Sequence, residues 1–315
     1  MSLLIIGSER ADDFYKMTRG LVPGRDVRLW PDVGDASDIR YALAWHPPAG
    51  ELAKFPNLRL IVSVGAGVDH LFRDPDLPDV AIVRYVDPDL TTRMVQYVVL
   101  MTLFHVRRMT EHLEQQRDRR WEYRPEPMPG EVRVGIMGIG VLGQACAQAL
   151  KGLGYQVRGW SRSPKSMPDV TCFAGDEGLG PFIAGTDVLV VLLPLTPDTR
   201  HIVDGDLLAK LSTSGRHHRL PGPVLINAGR GGLQVETDIL DALEDGTLYA
   251  ASLDVFETEP LPAESPLWQH PRIVITPLNA AESATESISK YFVRQIDRLE
   301  AGQPLENVVD PSVGY

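Results

Sequence analysis

Residues 132–150 read VRVGIMGIGVLGQACAQAL. An apolar, β-branched run stops at Gly138, and small apolar residues then recur at helical spacing. Gly138, Gly140 and Gly143 form G-x-G-x-x-G between a strand and a helix, the context in which that spacing has a mechanism. The first glycine permits a tight turn, and the second lets backbone approach a pyrophosphate. The third lets the helix pack close to the strand. The helix start then offers unbonded N–H groups and a positive dipole end to phosphate. A second apolar strand follows at Gln156–Trp160, so the stretch opens a dinucleotide-binding parallel sheet.

The same alternation of short apolar runs and helical patterns extends in both directions. Upstream, strands are expected at Leu3–Gly7, Val27–Trp30, Tyr41–Ala44, Leu60–Val64 and Ala81–Arg84, with helices at Asp12–Leu21 and Glu51–Phe55. Five such strands suit a flavodoxin-like domain. Thr91–Trp121 lacks Gly and Pro and reads as one long helix, followed by the Pro-rich connector Arg124–Gly130. Downstream of Gly143, strands are expected at Val188–Leu193, Val224–Asn227, Tyr249–Asp254 and Ile273–Thr276, then a helix at Ser283–Leu299. The polar loop Ser212–Pro223 is long for its place, and its His217–His218 pair has no partner at metal-ligand spacing.

The chain has 315 residues, room for about two domains of ~150 each. Its net charge of −11 leaves no broad basic surface, which argues against nucleic acid and anionic membranes as partners. Arg107–Arg108 and Arg117–Arg120 are interrupted by acids and read as a solvated helix face or a subunit contact. The 2 cysteines, Cys146 and Cys172, form neither a disulfide framework nor a metal pattern, which fits a reducing cytoplasm. Cys146 is expected in the core. The start, MSLLIIGSER, lacks the form of a signal peptide, and no window approaches a membrane span. No metal is expected.

The strand after the fingerprint helix selects the dinucleotide. An acid there, ~20 residues past the first glycine, would hold the ribose 2′-OH of NAD. This chain has GWSRSPKS at 159–166 and no acid. Ser161, Arg162, Ser163 and Lys165 supply hydroxyls and cations suited to a 2′-phosphate, so NADP is favoured over NAD.

Two further strand ends carry chemistry. INAGRGG (226–232) sets Arg230 among glycines, poised to fork onto a carboxylate. SLDVFETEP (252–260) sets Asp254 at a strand end and Glu259 in the loop beyond. Ligands of doubly wound sheets lie beyond the carboxyl ends of strands, where all three residues fall.

The segments WHPP (45–48), VGAGVDH (64–70), GIGVLG (138–143), WSRS (160–163), NAGRGG (227–232), DVFETEP (254–260) and ITP (275–277) resemble, in order and over essentially the whole chain, the D-isomer-specific 2-hydroxyacid dehydrogenases, and among them the glyoxylate/hydroxypyruvate reductase A group. The resemblance implies two doubly wound domains: a Rossmann dinucleotide domain (96–284) inserted into a flavodoxin-like substrate domain (1–95 and 285–315). It implies NADPH-dependent reduction of a small 2-oxoacid and a homodimer that meets through the inserted domain. It assigns the substrate carboxylate to Arg230 and to the backbone at Ala66–Gly67, with Trp45 lining the pocket and Arg84 facing it. Gly138, Gly140, Val141, Leu142, Gly143, the Ser161–Lys165 turn, Leu193 and Pro194 would hold the cofactor, and Asp254 would lie near the nicotinamide.

In the same pattern Glu259 keeps a catalytic His cationic, and that His directly follows Thr-Pro. Here the position is Leu278, which carries no proton. Loss of a positioned acid costs ~10²–10⁴ in rate. His270 falls at the wrong end of its strand, and His105 would have to approach the crevice from the long helix. Asn279 donates but is a poor acid. A water on Glu259, or Glu259 itself protonated in an apolar pocket beside Leu278, are the other sources. The readings that follow are a reductase with weakened acid catalysis, or a non-catalytic or retuned protein that senses NADPH or a 2-oxoacid, its pocket fitted to a different, bulkier substrate in the retuned case.

Overall fold

Every strand pairing in the two sheets of the computed structural model is parallel. The structure describes residues 2–7, 10–65, 67–86 and 88–310. The chain divides into two compact units, Met1–Leu90 with Glu282–Tyr315, and Thr91–Ala281.

The first unit opens with β1 (Ser2–Ile6), α1 (Ala11–Leu21), β2 (Asp26–Leu29), β3 (Ile39–Ala44), β4 (Leu60–Ser63), the short α2 (Asp69–Phe72) and β5 (Ala81–Arg84). The strands lie in the order β2-β1-β3-β4-β5, the flavodoxin-like arrangement. β1 and β4 are buried along their whole length, as parallel strands covered on both faces must be. Each fully buried Leu or Ile there contributes about 1.5–3 kcal/mol.

The chain then enters α3 (Pro88–Val106) and α4 (Met109–Arg117). The second unit continues with β6 (Arg133–Met137), α5 (Val141–Gly152), β7 (Gln156–Ser161), β8 (Thr171–Ala174), α6 (Gly175–Ala184), β9 (Val188–Val191), α7 (Gly205–Lys210), β10 (Val224–Asn227), α8 (Glu236–Glu244), β11 (Ala250–Leu253) and β12 (Ile273–Ile275). Its seven strands run β12-β11-β10-β9-β6-β7-β8, a Rossmann order with one added edge strand. Finally α9 (Thr285–Glu300) returns to the first unit, where its apolar face packs on the sheet through Ile288, Phe292 and Ile296.

Three details differ from the sequence expectation. The single helix over Thr91–Trp121 is two helices, broken at Arg108, whose backbone is left-handed (φ 52°) and whose guanidinium folds onto Glu111 of the next turn. No Gly or Pro marks the break. Residues 118–128 then carry no helix. The helix expected at Glu51–Phe55 is only a three-residue 3-10 turn, Leu52–Lys54. The short edge strand β8 was not expected.

The buried polar groups of the second unit are paired across elements. Asp187 (1 % exposed) accepts from the backbone and guanidinium of Arg133 and from Ser212 Oγ, which ties β6 to the loop after α7. His105 bonds Ser252 Oγ at 2.7 Å, so it is spent inside the unit and does not reach for a crevice. Cys146 lies in the core, and burial pushes its thiol up to about 12. No helix among the described residues is long and apolar enough to cross a membrane.

Burial depresses the His105 imidazole from 6.5 to about 4. The unfolded chain therefore binds more protons than the folded one across that window, and stability falls as pH drops from 6.5 through 4. His105→Gln removes the titration. Chemical denaturation at pH 4 and pH 7 is expected to show the acid loss shrink by up to about 3 kcal/mol in the variant.

Candidate active site

In the second unit the strand ends are aligned. Met137 pairs with Trp160 and Val191, Asn227 with Val191 and Leu253, and Leu253 with Ile275. The loops that leave β6, β7, β9, β10, β11 and β12 therefore emerge along one edge. The candidate residues of this unit all lie on it.

At the β6 end the glycine turn is as tight as its spacing requires. A Cβ at Gly143 would lie 2.0 Å from the Gly138 carbonyl oxygen, and Gly138 has φ 113°. Nothing lies within 4 Å of a Cβ built on Gly140. Gly140 caps α5 without a side-chain bond, and Val141 beside it is 66 % exposed, so the first N–H groups of the helix face open space. Leu142 packs against the core. The cradle thus fits a dinucleotide phosphate in its backbone and in its lack of side chains.

At the β7 end Trp160 Nε1 donates to Gly175 O at 2.9 Å and anchors the turn. Ser161 Oγ donates to Ser163 O at 2.8 Å, and Arg162, Ser163 and Lys165 are exposed. At the β9 end Leu193 packs into the core, and Pro194 is exposed.

At the β10 end Arg230 is half-buried, and its Nη1 donates to Gly229 O at 2.8 Å. Its loop is built from behind by two fully buried amides that sequence reading missed. Asn227 Nδ2 donates to Gln234 Oε1 (2.8 Å) and to Arg230 O (3.2 Å), while Asn227 Oδ1 accepts from Gly229 N (3.0 Å). Gln234 Nε2 reaches Val255 O in the next loop at 3.0 Å. A Cβ at Gly231 would meet the Phe256 carbonyl oxygen at 1.7 Å, so the β10 and β11 loops touch backbone to backbone. Polar residues buried in a strand-end loop are the signal that marks this pair.

At the β11 and β12 ends a network centres on Asp254 (2 % exposed). Its carboxylate accepts from Thr276 Oγ1 (2.5 Å), Asn279 N (2.8 Å) and Ala280 N (2.9 Å). Tyr97 of α3 bonds the same Thr276 oxygen at 3.0 Å. Burial holds Asp254 above the usual carboxylate range, and the charge of Glu259 adds to the shift against the hydrogen bonds that lower it. Leu278 follows from this network. Its N–H donates to Asp254 O (2.9 Å), its backbone is left-handed (φ 53°), and its side chain is 48 % exposed. Glu259 takes the Phe256 N–H at 2.9 Å and is exposed, so the apolar pocket expected around its carboxyl is not there. His270 sits before β12, at the amino end, as expected.

The first unit has an edge of its own. Ala44 pairs with Ser63, and Ser63 with Arg84, so Trp45, Gly67 and Arg84 all lie where β3, β4 and β5 end. Ser63 Oγ reaches Gly65 O (3.1 Å) and Gly67 O (3.4 Å) and holds the loop. Ala66 lies outside the described residues. Trp45 is half-buried, and a Cβ at Gly65 would stand 2.5 Å from its ring. Two residues that sequence reading passed over complete this edge. His46 stacks on His70 with ring centroids 4.7 Å apart, and both rings contact Trp45, at 4.9 and 4.5 Å. Among the described residues, no group of three or more His, Cys, Asp or Glu side chains could hold a metal ion.

Comparison with known proteins agrees with this arrangement. The family model for the D-isomer specific 2-hydroxyacid dehydrogenase NAD binding domain matches residues 99–280. The glyoxylate/hydroxypyruvate reductase A of Escherichia fergusonii is 41 % identical over 303 residues, covering 94 % of each chain. The NADPH-dependent glyoxylate/hydroxypyruvate reductase of Sinorhizobium meliloti, solved with NADP and sulfate, is 42 % identical, with TM-score 0.93 over 100 % of both chains. A probable 2-hydroxyacid dehydrogenase of Rhizobium etli, solved with NADP, HEPES and L(+)-tartaric acid, is 43 % identical, with TM-score 0.91 over 100 % of this chain and 99 % of that one. With the family model across more than half of its length and such relatives across nearly all of it, the chain belongs to the D-isomer specific 2-hydroxyacid dehydrogenases.

Proposed function

We propose that the chain reduces a small 2-oxoacid, of the glyoxylate or hydroxypyruvate kind, to the 2-hydroxyacid with NADPH. The observation that carries this reading is Arg230, held by buried amides on the same strand-end row as the phosphate cradle. The relatives named glyoxylate/hydroxypyruvate reductase, and those solved with NADP, support it. The absence of an acid at the β7 end, with Arg162 and Lys165 exposed there, favours NADPH over NADH.

NADPH supplies the hydride. The protein binds and orients. Arg230 forks onto the substrate carboxylate and fixes the keto group beside it. Trp45, Ala66–Gly67 and Arg84 of the first unit serve the substrate, so the unit built from both chain ends is the substrate domain and the other the dinucleotide domain. Asp254 holds the 276–280 turn at the nicotinamide end. Glu259 and Leu278 occupy the places of the proton-handling pair. Because Leu278 has no proton to give, acid catalysis is weakened, a loss that an acid elsewhere recovers only in part.

A second reading, a protein that binds NADPH or a 2-oxoacid without turnover, draws on the same leucine. The surface of the second unit supports a homodimer. Leu100, Met109, Leu113, Trp121, Tyr123 and Met128 are all exposed there. Two free cysteines fit the cytoplasm.

Two measurements test the reading. NADPH oxidation with a panel of 2-oxoacids is expected to be measurable in the unmodified chain, and Arg230→Gln is expected to lower kcat/KM by about 10²-fold or more. Arg162→Gln is expected to raise the KM for NADPH about tenfold and leave that for NADH unchanged, as loss of one charge-assisted contact to a phosphate would. No NADPH oxidation and no NADPH binding together would refute the proposed function. Binding without oxidation would select the sensor.

A further inference from the structure

β5 is an edge strand of the first sheet, and an edge strand leaves a row of backbone groups without a neighbouring strand. The chain that follows α9 turns back along this edge as a strap. Val308 forms an antiparallel bridge with Val83, Val309 N donates to Ile82 O at 2.9 Å, and the Val309 side chain packs into the core. Covering an edge asks for no more than this. The bonds at the end of the strand go further, and they converge on Arg84.

Arg84 N donates to Asn307 O of the strap at 3.1 Å, and Arg84 O accepts from the Tyr291 hydroxyl of α9 at 3.0 Å. Both backbone groups of this residue are therefore held. The same hydroxyl lies 2.9 Å from Glu306 O, so its proton is shared between two carbonyls, and it accepts from Asn307 Nδ2 at 3.3 Å. Tyr291 is 2 % exposed, and its ring lies 5.1 Å from that of Tyr85. One turn along α9 the fully buried Gln295 fixes the strap in a reciprocal pair. Glu306 N donates to Gln295 Oε1 (3.0 Å), and Gln295 Nε2 donates to Glu306 Oε2 (2.9 Å). Asn307 between these contacts is left-handed (φ 53°). A phenol and an amide are buried at a cost that their bonds must offset, and here those bonds build a support for one strand end.

We propose that Tyr291 and the strap it holds are the positioning residues for Arg84, and that they set how well its guanidinium binds the substrate. The inference rests on the reading above in which Arg84 serves the substrate. The last residue of an edge strand would otherwise be free to move. With its N–H and C=O both fixed, the side chain starts from a set direction and loses less freedom when a ligand arrives. Every contact in this chain of support lies within the first unit.

The test uses the full-length protein with NADPH and glyoxylate. Arg84→Gln is expected to raise the KM for glyoxylate about 10–30-fold, as loss of a charge-assisted contact would. Tyr291→Phe is expected to raise it about 3–10-fold, with kcat and the KM for NADPH changed less than about twofold, the split that lost substrate binding alone leaves. In the Arg84→Gln background, Tyr291→Phe is expected to add less than about twofold, because both act on one contact. Asn307→Pro, on the exposed strap, replaces the left-handed angle by the fixed negative angle of proline and is expected to repeat the rise. Asn307→Gly, which keeps the angle and the carbonyl, is expected to reverse it. The Asn307 pair carries the test where Tyr291→Phe fails to fold. An unchanged KM in a folded Tyr291→Phe or Asn307→Pro overturns the inference and leaves the reductase reading standing. So does an equal loss in kcat or for NADPH, or a full further loss in the double variant. An unchanged KM in Arg84→Gln withdraws Arg84 from the substrate, and the inference with it. No NADPH oxidation by the unmodified chain with any 2-oxoacid overturns the reductase reading as well.

Discussion

The arrangement of the second unit's reactive edge depends on one buried carboxylate. Asp254 directly follows β11 with 2 % of its surface exposed, where burial disfavours its charged form. Three donors offset that cost: the Thr276 hydroxyl and the N–H groups of Asn279 and Ala280. Tyr97 fixes Thr276 in turn. The result is a turn whose backbone is specified by hydrogen bonds from outside it. Networks of this kind rigidify when every member is paired and fail when one is missing.

The β10 loop follows the same logic with neutral groups. Asn227 and Gln234 are fully buried. Their amides complete the backbone bonds that a tight loop leaves open. Arg230 can then project from a rigid support. The first unit uses aromatic contact for the same purpose, with the Trp45, His46 and His70 rings each touching the other two. A side chain held by its neighbours loses less freedom when a ligand arrives.

Much of this could be read from the chain alone, because the features that carry it are local. The glycine fingerprint, the apolar runs of the parallel strands and Arg230 among glycines all depend on residues close in sequence. What escaped reading is long-range. The break at Arg108 has no Gly or Pro to announce it and is held by Glu111 and a left-handed backbone. His46 and His70 lie on different elements and meet only when β3 and α2 are folded side by side. Asn227 and Gln234 look like ordinary polar loop residues until their burial is known. The setting of Glu259 could not be foreseen either: sequence suggested an apolar pocket next to Leu278, but both side chains face outward.

Leu278 has a consequence that reaches beyond chemistry. Its backbone occupies a region that a branched aliphatic residue enters at a cost and that histidine or asparagine tolerates better. The bonds that keep it there run through its own N–H and through Asp254 and Thr276, and none uses the leucine side chain. The hydrogen bonds of the turn therefore ask only for a backbone N–H at this position, while its left-handed angle still discriminates among side chains. A residue that enters the left-handed region more readily, asparagine for one, would be seated by the same backbone bonds at a lower conformational cost, so this corner of the turn trades backbone strain for the side chain it presents.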